Sequence, residues 1–202
     1  MFMRQVFLLC CLLISGSSFA QFKFTVAGGY ATPTYRGETN KIVKSGLLYS
    51  VEPQYQFGKH LEIGLRFEQA FIQRPEFIDQ NITFQSKAAS TTSGLLTANY
   101  VIAAIGSIKP YVGIGGGLYY IGASEQTRQQ VTGGTTANYP LPTTINLGGV
   151  GRVGVKYRFI HLEADYNLVG DTSVKNSATG LTLTAKNSYF GVRAGVTIGG
   201  SK

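Results

Sequence analysis

The sequence predicts an all-β protein, a closed eight-stranded antiparallel up-and-down β-barrel built to cross a membrane, and three observations predict it. Eight segments alternate apolar residues with polar or small ones, at the period of two that a strand imposes. The connections between these segments alternate short and long. The last segment, Ser188 to Ile198, stands near the end of the chain, where an unpaired strand would present a row of open backbone donors and acceptors. Pairing it with the first segment, from Phe22 to Tyr30, closes the sheet and removes both edges, as a sheet in lipid requires.

The chain opens with one basic residue, Arg4, then an apolar run from Val6 to Ile14, then the small-x-small site Ser18-Phe19-Ala20. That is the layout of a secretory signal peptide, so residues 1–20 read as a leader and residues 21–202 as one barrel domain. The apolar run is about half of the ~20 residues that a membrane-spanning helix needs, and no other stretch comes close. Cys10 and Cys11 both lie in the leader, so the exported chain is expected to have no disulfide. The formal net charge of +8 falls to +7 without Arg4. An exported, alternating chain free of cysteine, rich in glycine and tyrosine and without a hydrophobic helix fits a membrane barrel better than a soluble sandwich, although the absence of tryptophan weakens its aromatic girdle.

In order, the segments run Phe22 to Ala31, Leu47 to Phe57, Leu61 to Phe71, Gly94 to Ile105, Pro110 to Ile121, Thr144 to Tyr157, Ile160 to Val169 and Ser188 to Ile198. The short connections are Gly58-Lys59-His60, Gly106 to Lys109, and Arg158-Phe159. The long ones are Thr32 to Gly46, Ile72 to Ser93, Gly122 to Thr143 and Gly170 to Asn187. Short turns on one side, with both termini, and long loops on the other is the layout of periplasmic turns and extracellular loops. The long loops hold Pro33, Pro75, Pro140, Pro142 and Gly133-Gly134, turn formers that need no packed core of their own.

Each segment has one apolar face, such as Leu61, Ile63, Leu65, Phe67 and Phe71 on the third; lipid would meet these. Pro53 falls on that face of the second segment, where its missing N–H predicts a bulge or local distortion. Aromatics collect near segment ends, with Phe22, Tyr55, Phe57, Tyr157 and Phe159 low and Tyr30, Tyr49, Phe71, Tyr120 and Tyr166 high, as two interfacial girdles require. The opposite face carries Lys23, Glu52, Glu62, Arg66, Glu68, Arg152, Lys156, Glu163, Asp165 and Arg193, five acids and five bases. An eight-stranded barrel is about filled by its own side chains, so these charges are expected to plug it as a paired network. Pairing Phe57 with Leu61 sets Glu52 against Arg66; pairing Tyr157 with Ile160 sets Arg152 against Asp165; Arg193 should approach Glu163. A soluble sandwich would turn the same faces the other way, with the charges in water.

The glycine-rich stretches Tyr111-Val-Gly-Ile-Gly-Gly-Gly-Leu-Tyr-Tyr120 and Gly148-Gly-Val-Gly-Arg-Val-Gly-Val-Lys-Tyr157, with the closing strand, give a chain that resembles the small eight-stranded bacterial outer-membrane barrels. That group contains the OmpA transmembrane domain, OmpX and OmpW. The resemblance covers residues 21–202 and implies an outer-membrane location and delivery by the barrel-assembly machinery. Two departures stand out. The last strand ends Val196-Thr197-Ile198-Gly199 without the usual terminal aromatic. The peptidoglycan-binding domain that OmpA-type proteins carry after the barrel is expected to be missing.

No catalytic, cofactor or metal residues are assigned. Gly149-Val-Gly151-Arg-Val-Gly154 spells G-x-G-x-x-G but runs on into Val155-Lys156-Tyr157 and another strand, with no helix N-terminus to hold a pyrophosphate. Some small barrels modify lipid A, but His60 and His161 both fall on the short-turn side, out of reach of an outer-leaflet substrate. There is no Cys or His cluster for a metal. The basic excess points to lipopolysaccharide and solubility rather than nucleic acid, and Asn81-Ile-Thr83 matches a glycosylation acceptor only by letter. The expected role is structural or surface-interacting, through four long extracellular loops and without catalysis. Outer-membrane lipid, lipopolysaccharide and a surface or envelope protein are the expected partners. Alternatives are an OmpW-like conduit for small apolar molecules or an accessory barrel of a secretion or motility system; Phe77, Ile78, Ile82, Phe84, Tyr139 and Leu141 are expected to extend the barrel strands above the membrane rather than to form a binding patch or a conduit mouth.

Overall fold

The computed structural model describes residues 21–34, 45–72, 77–79, 82–86, 89–130, 136–175 and 182–200. The expected leader, Asn81 and parts of the four long connections lie outside these residues. In chain order the strands are β1 (Phe22–Pro33), β2 (Gly46–Phe57), β3 (Leu61–Ile72), β4 (Phe77–Asp79), β5 (Ile82–Ser86), β6 (Ala89–Val101) and β7 (Ile108–Ile121). They continue as β8 (Ser124–Gln130), β9 (Thr136–Leu141), β10 (Thr144–Tyr157), β11 (Ile160–Val169), β12 (Thr172–Lys175), β13 (Thr182–Ala185) and β14 (Tyr189–Gly199).

Eight of these close into a barrel in the order β1-β14-β11-β10-β7-β6-β3-β2. Closure is made by β1 and β14, antiparallel from Lys23 opposite Gly199 to Pro33 opposite Tyr189, while the other edge of β1 pairs with β2. Every ladder in the barrel is antiparallel, and closure leaves the barrel sheet without an open edge. Pro53 interrupts the β2–β3 ladder at Glu52 and Pro53, yet Val51 opposite Phe67 and Gln54 opposite Gly64 keep one register. No residue is inserted, so the missing proline donor breaks pairing locally and makes no bulge.

The wall is inverted relative to a water-soluble protein. Ile114, Leu147 and Ile198 are 71%, 77% and 68% exposed on the outside, while Arg152 and Arg193 on the same or neighbouring strands are buried. Exposed apolar side chains recur on every barrel strand, from Phe24 and Val26 on β1 to Val192 and Val196 on β14. A monomer in water rarely shows a contiguous apolar patch above a few hundred Å2. Among the described residues no helix is long and apolar enough to cross a membrane; the strands are. Even β11, with ten residues, spans about 25 Å at the usual rise and tilt, the height of a membrane barrel's apolar band.

Two expectations need correction. The fourth barrel strand starts at Ala89 rather than Gly94 and ends at Val101 rather than Ile105. Its first residues, Ala-Ser-Thr-Thr-Ser, carry no contrast between faces, so alternation could not reveal them; Ile105 makes only an isolated bridge to Ile108. The long connections also form strands of their own: a four-stranded sheet ordered β4-β5-β8-β9, and the β12–β13 hairpin. The backbone of Phe77, Ile78, Ile82, Phe84, Tyr139 and Leu141 belongs to that separate sheet, not to extensions of the barrel strands.

Candidate functional site

Among the described residues, the barrel interior concentrates the charged and polar side chains. Period-two alternation sends every second side chain inward, and the inward set is built in three layers. Nearest the short turns, Glu62 on β3 accepts from Lys23 on β1, at 2.6 Å, and from Lys156 on β10. The Lys156 ammonium also lies 5.0 Å from the centre of the Tyr111 ring, at cation–π distance.

The middle layer holds Arg66, Arg152 and Arg193 against Glu52, Glu68, Glu163 and Asp165. Arg152 donates both terminal nitrogens to Glu52 at 2.8 Å, a bidentate pair across the barrel, and Arg66 Nε donates to the same carboxylate at 3.0 Å. Thr97 adds a hydroxyl at 2.6 Å. Arg66 then reaches Glu163 through Nη2 at 2.6 Å, where the Tyr111 hydroxyl also donates at 2.6 Å. Arg193 donates to Glu68 at 2.6 Å and through Nε to Asp165 at 3.0 Å, with Ser50 Oγ at 3.1 Å. The Tyr189 hydroxyl completes Glu68 at 2.6 Å, and Asn167 donates to Asp165 at 2.5 Å. Buried charges are tolerated when they are paired and further hydrogen-bonded in this way.

Toward the long connections the interior turns apolar: Ala31, Leu48, Ala70, Ile72, Leu95, Ile121, Val150 and Val169 pack with the rings of Tyr119 and Tyr189. This layer was not visible as a unit in the sequence, because each strand contributes only one or two of its residues. The inward tyrosines and amides, Tyr111, Tyr119, Tyr189, Asn99 and Asn167, were also missed as site residues. The available signal was their placement on the charged face of each strand.

The sequence-predicted charges Lys23, Glu52, Glu62, Arg66, Glu68, Arg152, Lys156, Glu163, Asp165 and Arg193 all face this interior. Glu52 does bond Arg66, and Arg193 lies opposite Glu163 with Nε 3.5 Å from its carboxylate. Arg152 stands opposite Asp165 in register but turns its guanidinium across the lumen to Glu52, leaving Asp165 to Arg193. Arginine is long enough to choose a partner on a distant strand, so adjacency on the sheet does not fix its pair.

Some glycines are where these side chains lie. A Cβ on Gly154 would sit 2.5 Å from the Tyr111 ring and 2.6 Å from the Leu162 carbonyl oxygen, whereas one on Gly151 would meet nothing within 4 Å. Gly154→Ala is therefore expected to cost about 1 to 3 kcal/mol of folding stability by overpacking, and Gly151→Ala close to none, as read by urea unfolding. The G-x-G-x-x-G match thus mixes an open outer-face position with a crowded inner one.

His161 is buried in the interior opposite Lys156, and His60 holds the Val101 carbonyl oxygen through Nδ1 at 2.8 Å and stacks on Tyr100. Both lie at the short-turn end. Among the described residues no group of His, Cys, Asp and Glu is arranged to hold a metal.

No protein-family model and no curated protein matches the chain. Among solved structures it is similar to Neisserial surface protein A, at 18% identity over 88% of this chain and 96% of that one, with a TM-score of 0.49. It is similar to Ail, the attachment invasion locus protein of Yersinia pestis, at 9% identity over 89% and 99% of the two chains, with a TM-score of 0.46. For the E. coli outer membrane protein W the values are 17% identity, 88% and 98%, and 0.37. These likenesses are of fold.

Proposed function

We propose that the chain is an integral outer-membrane β-barrel protein with a structural or surface-interaction role, without catalysis and without an open pore. One observation carries this reading: a closed sheet whose outer wall is apolar all round and whose interior charges are paired with one another. Such a wall is stable only in lipid, and the even strand number and the long connections at one end fit the outer membrane. There the wall meets lipid and lipopolysaccharide, and the barrel-assembly machinery inserts it. The sheet β4-β5-β8-β9 and the β12–β13 hairpin lie in the extracellular connections and offer a surface or envelope protein partner its contact.

The packing weighs against the conduit reading. An apolar layer sits over three guanidiniums locked to carboxylates, so a solute would have to break buried ion pairs to pass. The protein is expected to fractionate with the outer membrane, to migrate differently on a gel before and after boiling, and to give no porin-sized current in planar bilayers. Recovery in the soluble fraction would overturn the membrane placement, and steady large currents would overturn the plug.

A further inference from the structure

The short-turn end of the barrel opens into a cavity of about 520 Å3 lined by Lys23, Lys59, Lys109, Lys156, His60 and Glu62, among others. Four lysines share one glutamate there. Glu62 is already committed to Lys23 and Lys156, which leaves the mouth with a surplus of positive charge. The strand register sharpens the point. Lys156 on β10 lies directly opposite Lys109 on β7, so the two project from the same face, and like charges placed directly opposite each other destabilise a sheet. A chain that needed only solubility at this end could place these lysines on the outer rim. Here Lys23 and Lys156 are largely buried, and Lys59 and Lys109 are exposed at the opening.

We propose that this mouth is a binding site for a phosphate oxyanion, held between the ammonium groups of Lys59, Lys109 and Lys156. Lysine binds phosphate as a compact point charge. Inorganic phosphate, which carries about −1.5 to −2 at neutral pH, offsets the surplus better than a single carboxylate, and a phosphodiester, with a single negative charge, offers the same unesterified oxygens to the ammonium groups. Two sources supply this chemistry, a soluble phosphate and the phosphodiester of an inner-leaflet lipid headgroup. The second source rests on the membrane placement proposed above; the site itself does not.

The test has two arms. In the first, the refolded protein in an uncharged glycoside detergent is titrated with inorganic phosphate at constant ionic strength in chloride, and the lysine side-chain NMR signals are followed. Saturable shifts are expected at Lys59, Lys109 and Lys156. Lys59→Gln and Lys109→Gln, both exposed positions, should each weaken binding about tenfold, the loss of one charge-assisted bond. Lys186→Gln, at the other end of the barrel, should change nothing. Boiled and unboiled gel mobility verifies that each variant is folded. In the second arm the titration is repeated in nanodiscs of phosphatidylcholine with and without phosphatidylglycerol. Competition by phosphatidylglycerol makes the headgroup the occupant, and its absence makes soluble phosphate the occupant. Absence of saturable binding in both arms, or binding unchanged in Lys59→Gln and Lys109→Gln, overturns the proposal even if the protein proves to be a membrane barrel.

Discussion

Arg66→Met is expected to lower the unfolding free energy of the barrel by about 3 to 5 kcal/mol, the cost of leaving buried charge without its partner. Arg66 is the hinge of the middle layer. It bonds Glu52 at 3.0 Å and Glu163 at 2.6 Å and passes 3.9 Å from Glu68. Three guanidiniums there face four carboxylates, so removing one leaves two to hold four. Adding Glu163→Gln restores the original balance and keeps an acceptor for the Tyr111 hydroxyl, so the double variant is expected to be more stable than Arg66→Met alone. Urea unfolding of refolded protein reads the comparison. Equal losses in the single and double variants would mean that the network is a list of contacts and not a charge balance.

Removing residues 188–202 is expected to abolish the folded barrel altogether. It uncovers one edge of β1 and one of β11 at once, and each unsatisfied backbone group in lipid costs several kcal/mol. It also takes away Arg193, the partner of both Glu68 and Asp165, so the polar interior fails together with the closure. The truncated chain should show no heat-modifiable form on a gel and should be degraded after export. A stable, heat-modifiable truncated barrel would show that β1 and β11 can pair with each other, which is the result this account excludes.

The barrel was legible in the sequence because its signal is local and repeated. Alternation marked seven of the eight barrel strands to within a few residues, and Ser188 to Ile198 announced closure because a strand there needs a partner. The inward direction of Arg66, Arg152 and Arg193 followed from the same period. What was not legible depends on distances across the lumen or on strands without contrast. Arg152 chose Glu52 over its register neighbour Asp165, a choice made by side-chain length and by the bidentate fit. The strand β8, Ser-Glu-Gln-Thr-Arg-Gln-Gln, is polar on both faces, so its pairing with β5 and β9 left no periodic trace. The apolar layer around Leu48, Leu95 and Tyr119 hid for a third reason: one apolar residue on an inward face looks like an exception until eight strands are closed around it.

The claim that lipid faces the apolar wall and the charges face inward is tested most directly by single-cysteine spin labels placed along β10 at the outward positions 147, 149, 151, 153 and 155 and at the inward position 150. Leu147, Val153 and Val155 are exposed and Val150 and Arg152 buried on that strand. In bilayers, labels at 147, 149, 151, 153 and 155 should be mobile and relaxed by oxygen, which partitions into lipid, and should be shielded from a water-soluble paramagnet. A label at 150, the inward position that is neither a crowded glycine nor part of the charge network, should be immobile and reached by neither. Relaxation of the odd positions by the water-soluble paramagnet would contradict the account.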